Sequence, residues 1–193
     1  MESLELGIQM NKIIFSNEDV FKCKQFSESV DTTLYIQRNQ FDAIKRSADS
    51  MIGKLGELTV YYSLKDKYPN ISYPDFKIYS AKQKSWDFDL KDEKFNLHVK
   101  TQESLQASKF GESWIFQNED KHVFKIFSEN DYVAFVGVNL FQKYGIIKQI
   151  LPISLLHKMN LFKKPILAKL TSKSAVYFED IKLLDICLLN EEM

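Results

Sequence analysis

The chain is poor in residues that announce a site on their own. It has two cysteines, Cys23 and Cys187, far apart and at no metal-ligand spacing. They read as reduced thiols of a cytoplasmic protein, not as a disulfide framework or a zinc site. His122 and His157 have no partner at metal-binding spacing and read as surface or core residues. Only two arginines are present, Arg38 and Arg46. Arginine is the commonest reader of guanine, so base reading would have to rest on Lys, Asn, Gln, Ser and Thr. No apolar run approaches membrane-spanning length. The opening "MESLELGIQMNKIIF" mixes acids into its apolar residues and does not read as a secretion signal. Neither a repeat nor a low-complexity linker interrupts the chain.

Excess charge is also missing. Lys+Arg and Asp+Glu both number 26, for a formal net charge of zero, which argues against a uniformly basic nucleic-acid binder. The charges are nevertheless segregated. Residues 132–178 hold no Asp or Glu but carry Lys143, Lys148, Lys158, Lys163, Lys164, Lys169 and Lys173. This segment either builds one positive face for phosphates, with Lys143, Lys148, Lys163 and Lys164 as DNA contacts, or scatters its lysines over a solvated surface.

What is there suits one globular domain over residues 1–193, with a core at about 40–150 and N-terminal helical and C-terminal extensions. Residues 16–30 predict a helix capped by Ser16. Residues 40–67 predict a long helix whose apolar stripe is Ile44, Ala48, Met51, Leu55, Leu58 and Tyr62. "FKIYS" predicts a strand, residues 86–90 and 95–101 a hairpin, and 118–130 a helix. "DYVAFVGVNL" predicts a strand covered on both faces and "YGIIKQI" another; "LPISLLHKM" opens a short helix and "KSAVYFEDIKLL" a last strand-like segment. Trp114 reads as a core or hairpin residue, although it could stack on a base. The order implies an α/β fold with a mixed sheet.

The hairpin "DFDLKDEKFNLHVKTQ" carries the chemistry. Alternation puts Trp86, Phe88 and Leu90 on one side and Asp87 and Asp89 on the other; Phe95, Leu97 and Val99 oppose His98, Lys100 and Gln102. With a two-residue turn at Asp92 and Glu93, Asp87 would face His98. The polar residues then form one patch, either a solvated sheet face or a metal site. On the long helix, Glu57 lies within a second apolar face made by Gly53, Val60, Tyr61 and Leu64. A carboxylate there needs a partner: solvent past Tyr61, a structural lysine, or a cation beside the hairpin. Gly53 and Gly56 leave room for a strand or ligand to approach.

"GKLGE" on a helix, an Asp on a strand and "HVKTQ" on the next resemble the PD-(D/E)XK nuclease superfamily, most of all a small type II restriction endonuclease. That signature is an Asp on the second core strand and (Asp/Glu)-x-Lys on the third, often with a Glu on the first core helix. Asp87, Lys100 and Glu57 match, over about residues 45–140. The resemblance implies a restriction-endonuclease-like core and a homodimer cutting double-stranded DNA to 5′-phosphate ends. It implies Mg²⁺ or Mn²⁺ held by Glu57, Asp87 and the Val99 carbonyl. Lys100 would hold the attacking water, and Gln102 would position water or phosphate. His98 stands where the family has an acid. Either it orients water while Glu57 supplies the carboxylate, or Asp89 substitutes, or the site is dead. With carboxylates raising its pKa and a cation lowering it, His98 is expected to give an activity inflection between roughly pH 6 and 8. A Holliday-junction resolvase or repair nuclease, or a non-catalytic nucleic-acid-binding protein, are the alternatives.

Overall fold

A computed structural model describes residues 11–30, 42–79, 87–167, 170–182 and 184. In chain order the elements are β1 (Ile13–Ile14), α1 (Asn17–Ser29), α2 (Ala43–Leu64), β2 (Leu90–Lys91), β3 (Asn96–Glu103), α3 (Ser104–Phe110), β4 (Ser113–Gln117), α4 (Lys121–Phe124), β5 (Asp131–Asn139), β6 (Tyr144–Pro152), α5 (Ile153–Lys158), β7 (Lys173–Tyr177) and α6 (Phe178–Ile181). Ser16 starts α1 with a full capping box: its hydroxyl accepts from the Asp19 N–H at 3.0 Å, and the Asp19 carboxylate accepts from the Ser16 N–H at 2.9 Å. Asp42 starts α2, accepting from the Lys45 N–H at 3.0 Å.

Five strands form one mixed sheet in the order β1-β6-β5-β3-β2. β3 and β5 run parallel, and the other neighbours are antiparallel. A parallel pair needs a crossover, and α3, β4 and α4 supply it. β4 leaves the main sheet and pairs with β7 in a second, two-stranded sheet.

The central strand β5 is apolar in succession because both of its sides are covered. Ala134, Val136 and Val138 pack with Leu55 and Leu58 of α2; Val133 and Phe135 pack on the other side with Trp114, Phe116 and Leu156. Helix α2 lies unusually close to the sheet at two points. A Cβ on Gly56 would stand 1.8 Å from the Thr101 hydroxyl of β3, and a Cβ on Gly145 of β6 would stand 1.9 Å from the Thr59 hydroxyl of α2. Truncating Leu55 or Leu58 beneath these contacts is expected to cost about 2–5 kcal/mol.

Several local expectations differ. Residues 76–79 form no strand, and Ser80 lies outside the described residues, so "FKIYS" contributes loop rather than sheet. The 118–130 helix shrinks to the four residues of α4, while α3 and β4 arise where the pattern gave nothing. Ile44 is 85% exposed and leaves the core stripe, whereas Leu55 and Leu58 are fully buried. Trp114 is a core residue as read, its indole N–H donating to the Val136 carbonyl at 3.0 Å. Trp86, Arg38, Lys169 and Cys187 lie outside the described residues.

Candidate active site

The site arises because β2 is too short. It pairs only Leu90 with Leu97 and Lys91 with Asn96, so the turn comprises residues 92–95 rather than Asp92 and Glu93 alone. Before Leu90 the strand alternation lapses. Phe88 stands against the His98 ring at 4.6 Å, not on the side of Leu90. The Asp89 N–H still donates to the Leu97 carbonyl at 3.0 Å. Its carboxylate then accepts the Val99 N–H at 2.7 Å, standing in for the absent strand backbone. The N–H and C=O of a strand residue point to the same edge, so the Val99 carbonyl faces this edge as well.

Glu57 comes to the same edge from α2. It is only 8% exposed, and its carboxyl is pushed up to about 8. Burial is the largest cause and the nearby Asp89 charge adds to it; Lys54 opposes both. The Lys54 ammonium donates to both Glu57 oxygens, at 2.7 and 2.9 Å, and is itself largely buried. A structural lysine is therefore part of the answer to what Glu57 pairs with. It does not offset the whole cost, since the carboxyl remains far above its ordinary value. Gly56 is the residue approached by a strand, through Thr101; around Gly53 nothing lies within 4 Å of an added Cβ.

Asp87, expected in the site, is engaged by its own strand neighbour. It pairs with Lys91 at 2.6 Å and is half exposed, with its pKa lowered chiefly by that hydrogen bond. The acid brought towards Glu57 is Asp89, because the 92–95 turn moves the register of the first arm. His98 is 5% exposed, and among the described residues its Nε2 has no hydrogen-bond partner. Burial holds its pKa below the ordinary imidazole value and outweighs the upward pull of Asp89. The Asp89 charge thus pulls upward on the pKa of both Glu57 and His98.

Lys100 extends away from α2, with its ammonium 5.0 Å from the centre of the Phe116 ring. Gln102 is fully engaged in folding: its amide nitrogen donates to the Gly111 carbonyl at 3.0 Å, and its oxygen accepts the Ser113 N–H at 2.9 Å. It fastens the α3–β4 turn to β3 with one hydrogen bond from each end of its amide. Three of the lysines of residues 132–178 are engaged by other parts of the chain. Lys143 donates to Asn17, Lys148 pairs with Glu112 and Lys163 with Asp180, all partners from outside that segment. Lys164 accepts the Tyr177 hydroxyl with its carbonyl at 3.2 Å. Lys54 is the member of the site that the motif did not mark, although its place one helical turn before Glu57 could have.

Two carboxylates and a backbone carbonyl are hard oxygen donors, which suit Mg²⁺ or Mn²⁺; Mg²⁺ keeps several waters and needs no complete protein cage. Among the described residues no group of three or more His, Cys, Asp or Glu stands ready to hold a metal ion. Nor is any described helix long and apolar enough to cross a membrane. Comparison with family models, curated proteins and solved structures finds no match for this chain.

Proposed function

We propose that the chain is a metal-dependent DNA endonuclease with a restriction-endonuclease-like core, of the restriction type and acting as a homodimer on double-stranded DNA. The observation that carries this is Asp89, pinned to the Val99 N–H beside buried Glu57 and one residue from Lys100. Glu57, Asp89 and the Val99 carbonyl would hold the cation. A divalent cation bound there lowers the pKa of a coordinated water and offsets charge on the scissile phosphate. Lys100 follows Val99 on β3, and its ammonium would favour the deprotonated form of the attacking water. Asp89 sets the spacing between the helix acid and β3, and Phe88 and His98 wall the edge on the far side.

His98 also motivates a second reading. A buried imidazole against Phe88 replaces the usual motif acid, as a non-catalytic nucleic-acid-binding relative would have it. Plasmid DNA incubated with Mg²⁺ or Mn²⁺ and run on a gel separates the two. Discrete bands are expected; a smear points to a repair-type or nonspecific nuclease, and unchanged plasmid that still shifts with protein supports the binding role.

A further inference from the structure

We propose that Lys54 is an exchangeable counter-ion: it neutralises Glu57 while no metal is bound, yields that carboxylate to the divalent cation, and then serves a phosphate of the substrate. This rests on the nuclease reading above. The Lys54 ammonium sits 2.7 and 2.9 Å from the two Glu57 oxygens, so any cation that coordinates Glu57 takes an oxygen from Lys54. The two positive charges would then repel across a poorly solvated space, since both side chains are almost buried.

Lys54 has a seat to move to. Its ammonium already lies 5.0 Å from the Phe26 ring centre and 5.6 Å from that of Phe76, and ring faces attract ammonium groups. These rings meet edge to face at 5.6 Å. They line a cavity of about 520 Å³ between α1 and residues 76–78, with Lys22 also in its wall. Lys22 stands over the Tyr73 and Phe76 rings at 4.5 and 4.4 Å, and among the described residues it has no carboxylate at ion-pair distance. A released Lys54 therefore approaches a second cation. Glu28 in the cavity wall and Asp75, which interacts with Lys54, offset part of this charge, and a phosphate of the nucleic-acid backbone would offset the rest. By linkage, metal binding and phosphate binding then strengthen each other.

Calorimetric titration of MnCl₂ into metal-free wild type, Lys54→Met and Lys54→Arg tests the exchange. Lys54→Met removes the competitor, and Mn²⁺ affinity is expected to rise roughly tenfold or more. Lys54→Arg sets a bidentate guanidinium on the carboxylate, and affinity is expected to fall. Should Lys54→Met not fold, the arginine variant decides alone. The phosphate role is read in a Lys100→Ala background, so that DNA stays intact. Mn²⁺ is expected to tighten binding of a double-stranded oligonucleotide when Lys54 is present and to do so much less with Lys54→Met. Equal Mn²⁺ affinity in all three proteins overturns the exchange, and an undiminished Mn²⁺-linked gain in the methionine variant overturns the phosphate role. Wild type that binds no Mn²⁺ at all removes the metal reading itself, a result distinct from either.

Discussion

Asp87 and Asp89 are two residues apart and chemically identical, yet they are held differently: Asp89 accepts the Val99 N–H, and Asp87 pairs with Lys91. Asp89→Ala removes the acceptor of the Val99 N–H and the charge beside Glu57, so cleavage and metal binding are both expected to be lost. Asp87→Ala breaks a half-exposed pair with Lys91 and is expected to leave cleavage intact and change stability by under about 1 kcal/mol. Turnover and melting curves for the two variants side by side check this. Glu57 gives a second prediction. A carboxyl whose folded pKa lies above its unfolded value binds more protons when folded. Its contribution to stability is present below the ordinary value of 4.5 and is lost as pH rises to about 8. Without metal, Glu57→Gln should therefore gain on wild type as pH rises from about 5 to 8, by on the order of a few kcal/mol. Melts in chelator across that range measure it; a constant difference would mean that Lys54 keeps Glu57 fully ionised. The expected His98 inflection between pH 6 and 8 gives way to a neutral imidazole near pH 7, because burial dominates its surroundings.

At the scale of elements, the two glycines of α2 part company. Gly56→Ala puts a methyl group into the Thr101 side chain and forces helix and strand apart, at a cost of about 1–3 kcal/mol. Gly53→Ala meets nothing and should gain about 1 kcal/mol of helix stability. Denaturant unfolding of both variants is expected to show opposite signs. Asp19 links helix α1 to α2: it serves the capping box and also accepts the Tyr62 hydroxyl at 2.8 Å. Burial works against that charge, but the hydrogen bonds from Ser16 and Tyr62 hold its pKa below 3.8. Its contribution is present above that pH and fades as the carboxylate protonates below it. Asp19→Asn should cost about 1–2 kcal/mol at neutral pH, with the gap from wild type closing in acid. A gap that stays constant down to about pH 2 would place the effect elsewhere.

Over the whole molecule, acid-free residues 132–178 do not make an acid-free surface. Lys143, Lys148 and Lys163 each meet a partner from another part of the chain. Lys143→Ala and Lys163→Ala are accordingly expected to leave DNA affinity and its salt slope nearly unchanged, whereas a true phosphate contact would lower that slope by about one. Binding measured across a salt series decides. The β1 strand at residues 13–14 belongs to the main sheet, so what reads as an N-terminal extension is an edge of the core.

By itself the sequence determined the α/β class, the Ser16-capped first helix, the long second helix, the doubly covered β5 and the apolar setting of Glu57. Those signals are local: capping chemistry, periodicity and a charge on an apolar face are written in neighbouring residues. Tertiary structure alone decided that Asp89 takes the Val99 N–H while Asp87 pairs with Lys91, that Gln102 bonds the Gly111–Ser113 backbone, and that Lys54 holds the helix acid. It also decided where the lysines of residues 132–178 find their partners. The physical reason is register. A turn over residues 92–95 in place of a two-residue turn changes which side chains oppose each other across the hairpin. Leu90, Phe95 and Leu97 anchor that turn in the core, and the Asp92 carboxylate closes it by accepting the Lys94 N–H at 3.1 Å.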